Sequence, residues 1–335
     1  MRSVGFQPAE PLRVWAVTDG RAGIEAQALG LAEAIARRTP AEIVAKRVRL
    51  RTPWAWAPPG FTPAPLQALS LDSDPLAPPW PDIWIGCGRA SVPLSMNMRR
   101  LGRGQTLVVQ LQDPRVNPRE FDLVIPPVHD GLEGANVFPI VGACHRVTAE
   151  RLDQARAAHP HALEDYPGPR FAVLIGGKSK RQTIGAARAR DIADSLSLVQ
   201  RATGGTLMAT LSRRTPEAAR LQFQSRLAPH CAVFFDGEGA NPYFAMLAVC
   251  DHVFVTADSV NMATEAAATG KPIHVLGVDG YAGKLEAFHK SLQRRGCARP
   301  YIASRLESWN YPPLQETDRA AATVLAAWAK GARTQ

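Results

Sequence analysis

Cysteine is scarce in this chain and never paired. Cys87, Cys144, Cys231, Cys250 and Cys297 are odd in number and scattered, with no Cys-x-x-Cys spacing. That excludes a disulfide framework or a zinc ribbon and fits a reducing compartment. The eight histidines form neither His-Glu-x-x-His nor His-x-x-x-His, so no metal site is expected. No apolar run approaches the roughly 18 residues of a membrane span. The opening residues lack an apolar core before a small-residue cleavage site, so no export signal is expected. Acidic residues are in the minority, 30 against 39 Lys and Arg, which leaves a net charge of +9. Such a balance suits an anionic partner: nucleotide, nucleic acid or acidic lipid. The basic residues are dispersed and accompany no nucleic-acid motif, so nucleic acid is not expected.

What the sequence does have is a succession of short apolar runs ending in polar or glycine-containing turns. Its 335 residues suggest two domains at about 150 residues each. Val14–Val17, Ala41–Val48, Asp82–Gly86, Thr106–Leu111 and Asp122–Ile125 read as strands. Ala26, Leu29, Leu31, Ala32 and Ile35 recur on one face of a helix. Pro53–Pro81 holds nine prolines with Trp54, Trp56, Phe61 and Trp80, and reads as an irregular excursion with a short amphipathic piece near Leu66–Leu71. A helix and linker over 149–169 precede a second series. Its strands are Phe171–Ile175, Thr206–Leu211, Ala232–Phe235, His252–Val255 and Ile273–Leu276. Its helices are Ala186–Thr203, Tyr243–Ala248 and Val260–Thr269, and an Ala-rich helix over Thr317–Lys330 closes the chain. Buried strands separated by crossovers imply parallel sheets, with reactive groups at the strand ends.

Three turns of the second half follow buried strands. Ser259 precedes a helix whose first N–H groups favour an anion, so Ser259, Val260, Asn261 and Met262 could hold a phosphate. Alternatively, Ser259 only caps that helix. Glu265, about one turn further on, either accepts both hydroxyls of a ribose or is a solvated surface charge. Gly176, Gly177, Lys178, Ser179, Lys180 and Arg181 combine backbone access with cations, as a diphosphate needs, yet lack the Walker spacing. Ser212, Arg213 and Arg214 form the third turn. In the first half, Asp19 and Glu25 flank a loop containing Gly20, Arg21 and Gly23, and either carboxylate could activate an acceptor hydroxyl. Both also read as ordinary turn and helix-start acids. His129, next to Asp130, is either a general base or a solvated loop side chain. Gly86-Cys87-Gly88-Arg89 resembles half of a dinucleotide fingerprint but lacks its third glycine, and Asp113-Pro114-Arg115 reads as a turn rather than a catalytic unit.

Four segments carry a resemblance: TDGRAGIEAQALGLAEAI, VVQLQDPR, FAVLIGGKSKRQT and VFVTADSVNMATEAAATGKPIHV. Together they resemble the mitochondrial fission "elongated mitochondria" family, which includes a plant fission factor and bacterial proteins, from about Arg13 to Ala329. The family in turn resembles GT-B glycosyltransferases. The resemblance implies an α/β, GT-B-like fold: two Rossmann-like domains with parallel sheets facing across a cleft. An acceptor-side domain would cover residues 1–160, with the C-terminal helix 314–335 packing back onto it, and a nucleotide-binding domain 168–310. It implies that Gly176 and Gly177 match the turn opening the second domain, and Ser212 and Arg213 the turn after its second strand. It also implies that Ser259 and Asn261 meet a diphosphate, that Glu265 binds ribose, and that Gly20 and Gly23 belong to the acceptor-side loop. Peptidoglycan-type enzymes carry Gly-Gly-His there, whereas this chain has Gly23-Ile24-Glu25, so the histidine base is missing at that point.

The expected function is metal-independent glycosyl transfer from a nucleotide-sugar, with no further cofactor, onto an acceptor that is lipid-linked or part of an envelope glycan. Lys178, Arg213 or Lys284 would stabilise the departing diphosphate. A catalytically inactive membrane-surface adaptor and a sugar-nucleotide epimerase are the alternatives. The aromatic excursion follows Lys46, Arg47, Arg49 and Arg51, so it either rests on an anionic leaflet or packs into its own domain. A cytoplasmic location is expected, with peripheral attachment to the inner face of a membrane left open.

Overall fold

A computed structural model describes residues 10–332 except 103, 180, 281–282 and 304–305. Lys180 and the first nine residues, on which part of the export-signal expectation rests, lie outside the described residues, as do residues 333–335. The chain forms two units. One runs to Arg146 and regains the chain from Gln315 onward, and the other is Val147–Leu314.

The first unit is built on β1 (Leu12–Thr18), β2 (Ala41–Arg47), β3 (Ile83–Cys87), β4 (Leu107–Leu111) and β5 (Leu123–Ile125), all parallel, in the order β2-β1-β3-β4-β5. β3 and β5 are buried at every residue, which is why they read as unbroken apolar runs. β2 is an edge strand and alternates. From β1 the chain first steps outward to β2, then returns to the other side of β1 at β3. The strand order therefore reverses between β1 and β3, and the loops leaving these two strands diverge there.

Helix α1 (Ala22–Ala36) lays Ala28, Leu31, Ala32 and Ile35 on this sheet. Helix α2 (Ser91–Leu101) follows β3. The closing helix, α9 (Glu316–Ala332), packs against α1 through Ala320, Ala321 and Val324. Its start is tied down by two hydrogen bonds: Val141 N–H donates to Glu316 Oε2 at 2.8 Å and His145 N–H to Thr317 Oγ1 at 3.1 Å. Gly30 sits on the buried face of α1, where a Cβ would overlap the carbonyl of His145.

The proline-rich excursion between β2 and β3 folds over the first unit as turns and one short 3-10 turn, Pro59–Phe61. Leu66–Leu71 makes turns and a single bridge, Leu50 to Leu69, with no amphipathic helix. Trp80 packs on Trp15 at 6.1 Å between ring centroids, and Trp54 is half-buried, whereas Trp56 and Phe61 are exposed. The excursion thus divides its aromatic residues between core and surface. Among the described residues no helix is long and apolar enough to cross a membrane.

The second unit opens with α3 (Ala149–Ala158), which packs against α6 (Tyr243–Val249) and so belongs here and not with the first 160 residues. Its main sheet contains β6 (Arg170–Ile175), β8 (Thr206–Leu211), β9 (Cys231–Phe235), β10 (His252–Thr256), β11 (Ile273–Leu276) and β13 (Ala298–Pro300). The order is β13-β11-β10-β6-β8-β9, again all parallel. A two-residue pair joins β7 (Gln182–Thr183) to β12 (Asp279–Gly280). The crossover helices are α4 (Ala186–Thr203), α5 (Glu217–Arg226), α7 (Val260–Ala267) and α8 (Lys284–Arg294). Here the order reverses between β6 and β10, the strand order of a dinucleotide-binding sheet.

The tight seat of α1 makes a test of the first unit. Gly30→Ala should lower stability by about 1–3 kcal/mol through overpacking, read as a lower urea midpoint with an unchanged slope.

Candidate functional site

The reversal point of the second sheet brings three turns together, and one buried carboxylate joins them. The Asp258 side chain is fully shielded from solvent. Its Oδ2 accepts the Gly177 N–H at 2.8 Å and lies 3.7 Å from the Arg214 guanidinium. Gly176 N–H donates to Thr256 Oγ1 at 2.7 Å, and Thr215 Oγ1 donates to the Gly176 carbonyl at 2.6 Å. Lys178 N–H donates to the Arg214 carbonyl at 2.9 Å, and Arg214 Nη1 returns a bond to the Lys178 carbonyl at 3.2 Å. A Cβ at Gly176 would overlap the Asp258 carboxylate, and one at Gly177 the Arg214 backbone. The two glycines are therefore required by the protein's own close approach. In this conformation the N–H groups of Gly176, Gly177 and Lys178 are all engaged internally. The sequence reading gave these N–H groups to a phosphate. What the turns present outward is cationic: Lys178, Arg213 and Arg214 are exposed.

Ser259 is the N-cap of α7, its Oγ accepting the Met262 N–H at 3.4 Å. Val260, Asn261 and Met262 form the half-buried first turn of that helix. Glu265 is buried, which overturns the surface-charge alternative, and Tyr243 Oη–H donates to its Oε2. Burial pushes the Glu265 carboxyl up to about 7, against the opposing pull of the Tyr243 bond. Burial likewise raises the Tyr243 hydroxyl, with Glu265 adding to the shift. Asp258 is also raised by burial, opposed chiefly by the Gly177 N–H. From α8, His289 places Nε2 2.8 Å from the Ala257 carbonyl, and burial lowers its pKa. The imidazole is held neutral behind the same turn. Lys284 is the first residue of α8.

In the first unit the candidate bases are ion-paired. Asp19 bonds the Arg21 guanidinium at 2.7 Å, and Glu25 the Arg47 guanidinium at 2.7 Å. Gly20 has φ +74°, a conformation that favours glycine, and Gly23 is exposed in the first turn of α1. His129 is half-buried in the 3-10 turn Val128–Asp130 after β5. The Gly86-Cys87-Gly88 fingerprint has a packing explanation. A Cβ at Gly86 would overlap Ser95 and Gln110, whose side chains bond each other at 2.9 Å beneath the Trp84 indole. Asp113 pairs with Arg115 at 3.2 Å in its turn. Among the described residues no three His, Cys, Asp or Glu side chains are grouped so as to hold a metal ion.

Sequence reasoning missed Asp258, Thr256, Thr215, Tyr243 and His289. The signal available was the glycine pair itself, since adjacent glycines at a strand end mark a close approach by something.

Two parallel sheets, each reversing its order beside its first strand, define a GT-B-like fold of two Rossmann-like domains. Solved structures share it at fold level only. A UDP-GlcNAc 2-epimerase of Methanocaldococcus jannaschii is 10% identical with TM-score 0.55, over 93% of this chain and 98% of that one. The glycosyltransferase of kitacinnamycin is 14% identical with TM-score 0.50, over 96% and 94%. The chain belongs to the family described as Mitochondrial fission ELM1, which its residues 22–328 match. Mitochondrial fission protein ELM1 of Arabidopsis thaliana is 34% identical over 270 residues, 73% of this chain. The match spans only 63% of that plant protein's length.

The raised Glu265 carboxyl has a sign that can be measured. Its folded value, about 7, lies above the starting value of 4.5, so the fold favours the protonated form. That stability is complete below pH 4.5 and declines as the pH rises through 7. Wild type should lose up to about 3 kcal/mol between pH 5 and pH 8 from this group. Glu265→Gln should flatten that part of the profile, read from urea midpoints at the two pH values.

Proposed function

We propose that this protein is a metal-independent glycosyltransferase that takes its sugar from a nucleotide-sugar held by the second unit. The observation that supports this reading is the meeting, through Asp258, of the turns that carry Lys178, Arg213 and Arg214 with the start of α7 from Ser259 to Met262; the buried Glu265 follows on the same helix. Exposed guanidinium and ammonium groups suit a diphosphate, and a helix start adds its dipole. A buried carboxylate suits the paired hydroxyls of a ribose. The departing diphosphate would be stabilised by the same cations. On this reading the acceptor hydroxyl loses its proton to a base of the first unit, with Asp19, Glu25 and His129 the candidates. Asp19 and Glu25 must each loosen an arginine before accepting it. The acceptor is lipid-linked or part of an envelope glycan, placing the protein in the cytoplasm at the inner face of a membrane.

The competing reading is a GT-B-like adaptor without catalysis. One specific observation favours it: the backbone donors of the Gly176–Lys178 turn, and both first-unit carboxylates, already have internal partners. Epimerisation of the nucleotide-sugar uses the same fold and is separated from transfer by NMR detection of a free epimer without acceptor.

Calorimetric titration with UDP, GDP, CMP and ADP in EDTA should show binding of one nucleotide. Absence of binding by any of them to folded protein would remove the nucleotide reading and leave the adaptor. Glu265→Ala should weaken the bound nucleotide by about 10- to 100-fold, the worth of hydrogen bonds to a charged group. Because the carboxylate is the accepting form, wild-type affinity should fall as the pH drops below about 7, and Glu265→Ala should lose that dependence. Of Asp19→Asn, Glu25→Gln and His129→Gln, the one that removes the base should stop transfer while leaving nucleotide affinity unchanged.

A further inference from the structure

The reversal point of the first sheet has its own cavity, of about 180 Å³, and it is lined by the exits of three strands. Asp19 and Arg21 follow β1, Val48 to Leu50 follow β2, and Arg89 and Ala90 follow β3. In open α/β sheets this crevice is where ligands bind. The proline-rich excursion closes it with Trp54, Ala55, Ala57 and Pro59. Arg89 fixes the excursion in place, donating from Nη2 to the carbonyls of Trp56 at 2.6 Å and Ala57 at 2.9 Å.

The charged groups that line the cavity are Asp19, Arg21, Arg49 and Arg89, three guanidinium groups against one carboxylate. Asp19 is bonded to Arg21 at 2.7 Å, and Arg49 to Asp72 at 2.7 Å. Arg21 and Arg49 keep 69% and 72% of their side chains exposed, and the Arg49 pair, whose Asp72 is also exposed, is weak, whereas Asp19 is largely shielded. A phosphate brings three acceptor oxygens and up to two charges, and it competes with a single carboxylate at each of these two guanidinium groups, Asp19 at Arg21 and Asp72 at Arg49. Beneath the cations the wall is apolar: Val48, Leu50, Trp54, Ala57, Pro59 and Pro93. A free inorganic ion would gain nothing from that wall, whereas an acyl or prenyl stem would.

Two exposed rings extend the same logic beyond the cavity. Trp56 is 77% exposed and Phe61 74%, both on the excursion that forms the wall. Aromatic side chains of this kind settle at the boundary between water and lipid.

We infer that the first unit binds a lipid-borne phosphate, the head held by Arg21, Arg49 and Arg89 and the stem lying against the wall formed by Trp54 and its neighbours. The inference does not depend on the nucleotide reading of the second unit. The test titrates the full chain with dodecyl phosphate below its micelle concentration, with inorganic phosphate, and with dodecyl maltoside, by calorimetry and tryptophan fluorescence. Dodecyl phosphate should bind saturably, one per chain, at least about tenfold more tightly than either control. Arg21→Ala with Arg49→Ala should weaken it by at least about tenfold at an unchanged urea midpoint. If that double variant does not fold, Arg49→Glu alone should show the same loss. Equal affinity for inorganic phosphate would reduce the site to a plain anion site and overturn the lipid part. Equal affinity for the maltoside would reduce it to apolar adsorption. Failure of all three to bind, or wild-type binding by the arginine variants, would overturn the assignment.

Discussion

The reversal of strand order beside the first strand of each sheet is the constraint on which the rest of the structure depends. A parallel sheet wound in one direction sends every connecting loop the same way, and neighbouring loops crowd each other. When the chain returns to the opposite side of its first strand, two adjacent loops part and a crevice opens between them. Here that happens between β1 and β3 in one unit and between β6 and β10 in the other. Both candidate sites lie at these two points, although the two units solve the local packing differently.

In the second unit the parting loops are drawn together again by Asp258. A wholly shielded carboxylate is costly unless it is paired and hydrogen-bonded. Gly177 supplies a hydrogen bond and Arg214 a nearby positive charge, while Gly176 lacks the side chain that would otherwise occupy the same space. The turn is thus held by internal hydrogen bonds without any ligand. Its backbone polarity is satisfied internally, and the outward electrostatics pass to long side chains that can adjust. In the first unit the opening is filled from outside the sheet by the proline-rich excursion, and the charges around it are exposed arginines paired with exposed or half-exposed acids. One unit has an internally bonded floor with exposed cations, and the other an apolar wall beside paired arginines.

Much of this fold is legible in the sequence because buried parallel strands leave an unmistakable trace: β3, β6 and β10 are short apolar runs, each ended by a turn. The start of α7 is also legible, since Ser259 is a strong N-cap residue ahead of a helical pattern. The path of residues 53–81 is not legible, because proline says what a segment cannot form and nothing about where it lies. Nor could the sequence divide its aromatic residues, since Trp80 is half-buried against a cluster that includes Trp15, 65 positions away in the chain. Asp258 reads as one more turn-forming acid, and its burial depends on loops from two other strands. Glu265 is a candidate by its place on α7, but its burial, which raises its pKa, and its bond to Tyr243 from a different helix are not legible there.

The glycines show why local patterns point to the correct place for an incomplete reason. Glycine marks a position where something comes too close for a side chain, and a strand end in an α/β sheet makes a ligand the natural suspect. At Gly86 the intruder is the Ser95 and Gln110 pair, at Gly176 it is Asp258, and at Gly177 it is the backbone of Arg214. All three lie at strand ends where ligand sites occur, yet each is explained by the protein's own atoms. The functional question at such a turn is then which donors remain after internal packing has taken its share. For the second unit the donors that remain are the side chains of Lys178, Arg213 and Arg214, and the proposed diphosphate contacts fall to them. Part of the net charge of +9 lies in these turns, with Lys178, Arg213 and Arg214 at one reversal point and Arg21, Arg49 and Arg89 at the other, and the rest is dispersed over the chain.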